Sequence, residues 1–83
     1  MNRPLYRIAS DIYDDWDPVN FAAVPYLEAM TALGGITDSY GYDDAETVVL
    51  YFLANAQTWR GARARAIKAE LKGMTRNIKR ASK

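Results

Sequence analysis

The run Thr47-Val48-Val49-Leu50-Tyr51-Phe52-Leu53 decides the fold. Its period cannot separate helix from strand, because an unbroken apolar or β-branched run satisfies both. Its β-branched and aromatic content favours a strand. Its start favours a helix: Asp43 or Asp44 stands where an N-cap belongs, and Glu46 falls in the first turn, where negative charge suits the macrodipole. No second strand is apparent, and a lone strand is not stable. The segment from about Asp43 or Asp44 to Ala56 therefore reads as a helix. A helix apolar all round belongs at the centre of a fold. Exposed, such a run would be an aggregation hazard.

Downstream, a fourth helix is expected from about Thr58 or Trp59 to near Lys79, with Thr58 as its cap. Ile67, Leu71, Met74 and Ile78 recur at helical spacing and give the chain's clearest amphipathic stripe. Roughly opposite lie Arg65, Lys68, Lys72, Arg76, Lys79 and Lys83, with Arg80 beside them. The last residues, Ala81-Ser82-Lys83, are expected to fray.

Upstream, Leu5, Ile8, Ala9, Ile12 and Trp16 share one face of a helix over about Pro4–Trp16, stopped by Asp17-Pro18. Pro4 suits its first turn. A second helix is expected from about Pro18 to Leu33, capped by Asp17 and ended by Gly34-Gly35. Pro25 should kink it or split it, with the main helix running from Val24 onward. Gly34–Tyr42 reads as a loop.

The expected architecture is all-α: a small compact bundle of about four helices in one domain over residues 1–83. Its third helix is buried and apolar, and its fourth is long and basic. The expected core is Leu5, Ile8, Ile12, Trp16, Phe21, Leu27, Met30, Leu33, Val49, Leu50, Phe52, Leu53, Ile67, Leu71 and Met74.

The chain has 83 residues, no cysteine and no histidine. Disulfides, thiolate metal sites, cysteine nucleophiles and imidazole bases are excluded. No constellation of Ser, Lys, Asp or Glu suggests catalysis, so the expectation is a non-enzyme without cofactor or metal. No apolar run is long enough to span a bilayer, and no apolar signal core follows Met1. A cytoplasmic protein without a membrane partner is the expectation.

The net charge of +1 hides a split. Residues 1–59 hold two arginines against nine acids, a charge of −7; residues 60–83 hold nine cations against Glu70, a charge of +8. Such asymmetry points to a polyanion-binding or self-complementary end. Arg65, Lys68, Lys72, Arg76, Lys79 and Arg80 could track phosphates on nucleic acid, dock on an acidic protein surface, or form a solvated face. Nothing in the chain resembles a base-reading motif. Asp11, Asp14, Asp15 and Asp17 crowd the end of the first helix, against its macrodipole. They offer an acidic partner surface or phosphate mimicry, and the bland alternative is a solvated helix end. Trp59-Arg60-Gly61 reads as a structural corner, with Arg60 at the domain edge or clamped to Asp43 or Asp44. Gly61 in a first helical turn would imply close backbone approach. Six tyrosines suit an interface or a half-buried core edge.

The string Tyr40-Gly41-x-Asp43, Val48-Val49, Tyr51-Phe52-Leu53-x-Asn55-Ala56-x-x-Trp59-Arg60-Gly61, Ala64 and Lys68-x-Glu70-Leu71 resembles a group of small phage and prophage proteins of actinobacteria and other Gram-positive hosts. Asp15-Trp16 and Ala23-x-Pro25-Tyr26-Leu27-x-Ala29-Met30 belong to the same resemblance. It covers about residues 8–74, and N-A-x-x-W-R-G is its most specific string. It brings no catalytic residue and no ligand. It implies a phage-encoded accessory protein in the host cytoplasm. The expected function is protein–protein interaction, with itself as a homo-oligomer or with a host protein; nucleic-acid binding is the alternative.

Overall fold

The deciding run is helical. In the computed structural model, which describes residues 3–41 and 43–81 and the side chains of 3–39, 41 and 44–75, helix α3 spans Ala45–Ala54. Asp44 caps it, its carboxylate accepting from the Thr47 amide at 2.8 Å. That satisfies one of the amides a helix start leaves orphaned.

Helix α1 spans Leu5–Asp15, and Pro4 stands at its N-cap, one position earlier than expected. No side chain caps it. Its first two amides instead donate to the carbonyls of Gly34 (2.7 Å) and Leu33 (2.9 Å), so the chain just after the second helical segment, which ends at Met30 and not at Leu33 as expected, caps the first. That segment is split, as Pro25 requires: a 3-10 turn over Phe21–Ala23 leads into α2, Val24–Met30. Its cap is Asn20, which accepts from the Ala22 amide, and not Asp17. After α2, the Asp38 carboxylate accepts from the Gly34 and Gly35 amides at 3.0 and 2.9 Å. A Cβ on Gly34 would lie 3.0 Å from that oxygen, so a larger residue there would make the Asp38 carboxylate shift by a few tenths of an ångström. The expected loop also holds a two-residue antiparallel ladder, β1 (Ser39–Tyr40) against β2 (Asp43–Asp44), turned at Gly41 with φ +63°. This hairpin delivers Asp44 to its cap.

Helix α4 spans Ala62–Ala81. It starts later than Thr58, because the Arg65 amide bonds the Gly61 carbonyl at 3.0 Å and Gly61 itself holds φ +117°. Gly61 thus precedes the helix, and a Cβ there would meet nothing within 4 Å. Backbone conformation and not close approach explains this glycine. Gly61→Ala should lower the unfolding free energy by about 1–3 kcal/mol. Gly73 lies inside α4 with open space around it. Gly73→Ala should raise stability by about 0.5–1 kcal/mol. Urea unfolding of both variants gives the two signs, and a Gly61→Ala protein as stable as the parent would contradict the positive-φ account.

The helices form a ring: α1 packs on α2 and α4, and α3 packs on the same two. The result is a small all-α bundle in which no helix is central. Here the expectation of a wholly buried α3 needs correction. Its Ala45, Val48, Val49 and Phe52 face the core, while Leu50 and Tyr51 are 37% and 53% exposed. With two neighbours, a helix has one covered face. Phe21, also expected in the core, is 90% exposed. The chain enters α2 through the 3-10 turn and not from Pro18, which shifts the phase and puts Ala23 inside instead. Leu53 is half-buried at the core edge. The other expected core residues are buried, joined by Trp59 and by small residues such as Ala9, Ala23, Ala45, Ala56 and Ala64. No helix among the described residues is long and apolar enough to cross a membrane.

Candidate functional site: an aromatic corner, a charged seam and two open faces

Trp59 joins α3 to α4. Its ring stacks on Trp16 at 5.6 Å and 10°, and Phe52 stands edge-on to both at 6.2 and 6.4 Å. Its indole N–H donates to Asp15 at 2.8 Å. Lys68 donates to the Trp59 carbonyl at 2.6 Å and lies over its ring. The Trp59–Arg60–Gly61 corner is therefore built on Trp59 and on the backbone of Gly61. Arg60 is exposed and has no ion pair among the described side chains.

The acids at the end of α1 find partners within the molecule. Arg3 reaches Glu70 through two N–H donors, at 3.0 and 2.9 Å, and reaches Asp11 with a third. Arg63 meets Asp14 at 3.1 Å and Asp11 at 3.6 Å. With Asp15 bound to Trp59, Asp17 is the exposed acid of the four without a partner among the described residues. The sequence offered only position for Arg3: it is one of two cations before residue 60. Arg63 is a cation on the α1-facing side of a basic helix, which only packing could reveal.

The Arg3 hydrogen bond holds the Asp11 carboxyl below its ordinary range; partial burial opposes this, and the charges of Arg3, Arg63 and Arg7 add to it. A carboxyl lowered on folding stabilises fully above about pH 4 and loses that contribution as pH falls through its folded value. Asp11→Asn should flatten the acid limb of a melting-temperature profile. At neutral pH it should cost less than about 1 kcal/mol, since the pair is partly solvated. An unchanged acid limb would remove the pair from the account.

Of the basic face, Arg65 and Lys72 are exposed on α4, and Lys68 is half-buried. The backbone of Arg76, Lys79 and Arg80 continues α4, and their side chains lie outside the described residues. Burial, then the nearby Lys72 and Arg60, push the Lys68 ammonium below its ordinary value. Three cations thus share one corner.

The second open face is apolar. Tyr26 of α2 stacks on Tyr51 of α3 at 5.4 Å, beside exposed Leu50. Further along the same seam, Asn20, Ala54, Asn55, Gln57 and Thr58 line a cleft of about 200 Å³. Tyr6 and Tyr13 are 50% and 40% exposed elsewhere on α1. The side chains of Tyr40 and Tyr42 lie outside the described residues, as do Ser82 and Lys83. A larger cleft of about 510 Å³ runs between Arg3, Tyr6, Ile36 and Met74.

The chain matches no protein-family model, no curated protein and no solved structure.

Proposed function

We propose that this chain is a non-enzymatic protein-binding module, a phage-encoded accessory protein acting on itself or on a host protein. The observation that carries the binding role is the open aromatic seam between α2 and α3, where Tyr51 is 53% exposed and stacks on Tyr26 beside open Leu50. Apolar side chains grouped at the surface are what an interface core needs. The phage origin rests on the N-A-x-x-W-R-G string and its neighbours alone. The acidic end of α1 contributes less to this reading than its composition suggests, because Asp11, Asp14 and Asp15 already have partners. Affinity capture from bacterial lysate, with and without nuclease, tests the proposal. A chain that recovers no protein and does not self-associate would sink it.

Nucleic-acid binding is the second reading. It is favoured by the cationic corner of Arg60, Lys68 and Lys72, with exposed Arg65 on the same helix. Phosphate contacts release counterions, so binding by these groups and by Arg76, Lys79 and Arg80 must weaken steeply with salt. Fluorescence titration with duplex and single-stranded DNA at two salt concentrations measures this. No binding at low salt would eliminate the reading.

A further inference from the structure

We propose that the occupant of the α2–α3 face is a second copy of this chain, paired about a two-fold axis. This rests on the protein-binding reading above and names its partner.

None of the described residues named on this face is charged; the acids of the two helices, Glu28 and Glu46, lie outside it in sequence. A quarter of the chain's residues are charged, yet none lies in Pro18–Leu27 or in Thr47–Trp59. The fold sets these two segments side by side, Asn20 against Ala54 and Asn55 at one end and Tyr26 against Tyr51 further along. Leu50, Tyr51 and Ala54 are exposed on the α3 side, and Phe21, next to Asn20, is 90% exposed at the margin.

In a two-fold contact the same patch meets itself. A patch of one sign then repels its own copy, so the cationic side of α4 cannot pair this way. An uncharged face can. Its polar margin is self-compatible too, because the amides of Asn20, Asn55 and Gln57 both donate and accept. A face without charge also offers no steering to a charged partner. The competing arrangement, the acidic end of one copy on the basic helix of another, is disfavoured because Arg3 and Arg63 already neutralise Asp11 and Asp14 within the molecule. About 800 Å² per subunit, the usual scale of a stable interface, is a modest share of the 5400 Å² surface.

Sedimentation equilibrium from micromolar to millimolar protein tests the proposal, at about 0.1 M and about 1 M NaCl, where charge contacts are respectively felt and screened. The expected result is a mass rising from 9.3 kDa toward twice that value, undiminished at the higher salt. Tyr51→Arg and Ala54→Arg should each weaken the dimer by at least about tenfold, about 1.4 kcal/mol, with helical circular dichroism unchanged. Ala54 is exposed, so its variant keeps the test open should Tyr51→Arg fold poorly. A monomer throughout, a dimer that dissolves in salt, or a dimer indifferent to both substitutions would each overturn the proposal. A monomer that still captures a protein from lysate removes only the second copy as occupant; a monomer that captures nothing removes the protein-binding reading as well.

Discussion

Trp59→Ala is expected to lower the unfolding free energy by about 3–5 kcal/mol, the usual range for deleting a buried aromatic. A domain of 83 residues has about 4–12 kcal/mol in total at the common per-residue value, so this one change should remove a quarter or more of the stability. The size follows from what the ring touches. Trp59 is 2% exposed, stacks on Trp16 and meets the edge of Phe52. Its removal takes the stacked face from Trp16 and the edge contact from Phe52, and strips Asp15 of its indole donor. It also takes the surface that Lys68 lies over. Trp59→Phe separates these parts. It keeps most of the apolar area and loses the N–H, so a loss of about 2–3 kcal/mol is expected, the scale of one hydrogen bond to a charged group plus a small void. Urea unfolding followed by circular dichroism measures both. If Trp59→Ala cost no more than Trp59→Phe, the three-ring cluster would not be the joint between α3 and α4.

Phe52→Ala should cost about 3–5 kcal/mol as well, while Tyr51→Ala, one residue earlier, should cost less than about 1.5 kcal/mol. The pair reads out which face of α3 is covered. Phe52 is fully buried and stands edge-on to both tryptophans. Tyr51 is 53% exposed, and its packing partner is Tyr26. Equal losses at the two positions would mean that α3 is enclosed on all sides, which contradicts the ring of four helices. Phe52 and Trp59 touch, so their losses should not add. A double-mutant cycle should return a coupling of about 0.5–1.5 kcal/mol, the range for an aromatic pair.

Much of the bundle was legible because each helix carries a local signal. The α1 stripe, the break at Pro25 and the Asp44 cap all act within a few residues, and the structure has each of them, whereas α2 ends at Met30 with Thr31 as its cap, short of the Leu33 end and the Gly34-Gly35 stop that were expected. The errors share one cause, which is phase. Asn20 and not Asp17 starts the second segment, and that rotation turns Phe21 out and Ala23 in. Gly61 precedes α4 at φ +117°, so the helix starts at Ala62 and not near Thr58. A cap can be proposed from its residue type, but which of two neighbouring candidates is used depends on the chain that packs against it.

The candidate site was less legible than the fold. The sequence pointed to the acids at the end of α1 as a partner surface. Arg3, Arg63 and Trp59 occupy three of them from elsewhere in the chain, Trp59 from 44 residues away. Conversely, nothing in the deciding run distinguishes Leu50 from Phe52. Both are large and apolar, and only the positions of α2 and α4 leave one open and the other enclosed.

By itself the sequence determined that the chain is helical, that α4 has an apolar stripe, and that neither imidazole nor thiol chemistry is available. These follow from spacing and composition, which the chain carries without folding. The tertiary structure decided which face of α3 is covered, where the acids of α1 find their cations, and which open surface is uncharged. Those depend on which helices become neighbours. A helix's covered face and an ion's partner are properties of pairs of segments, and no single segment encodes them.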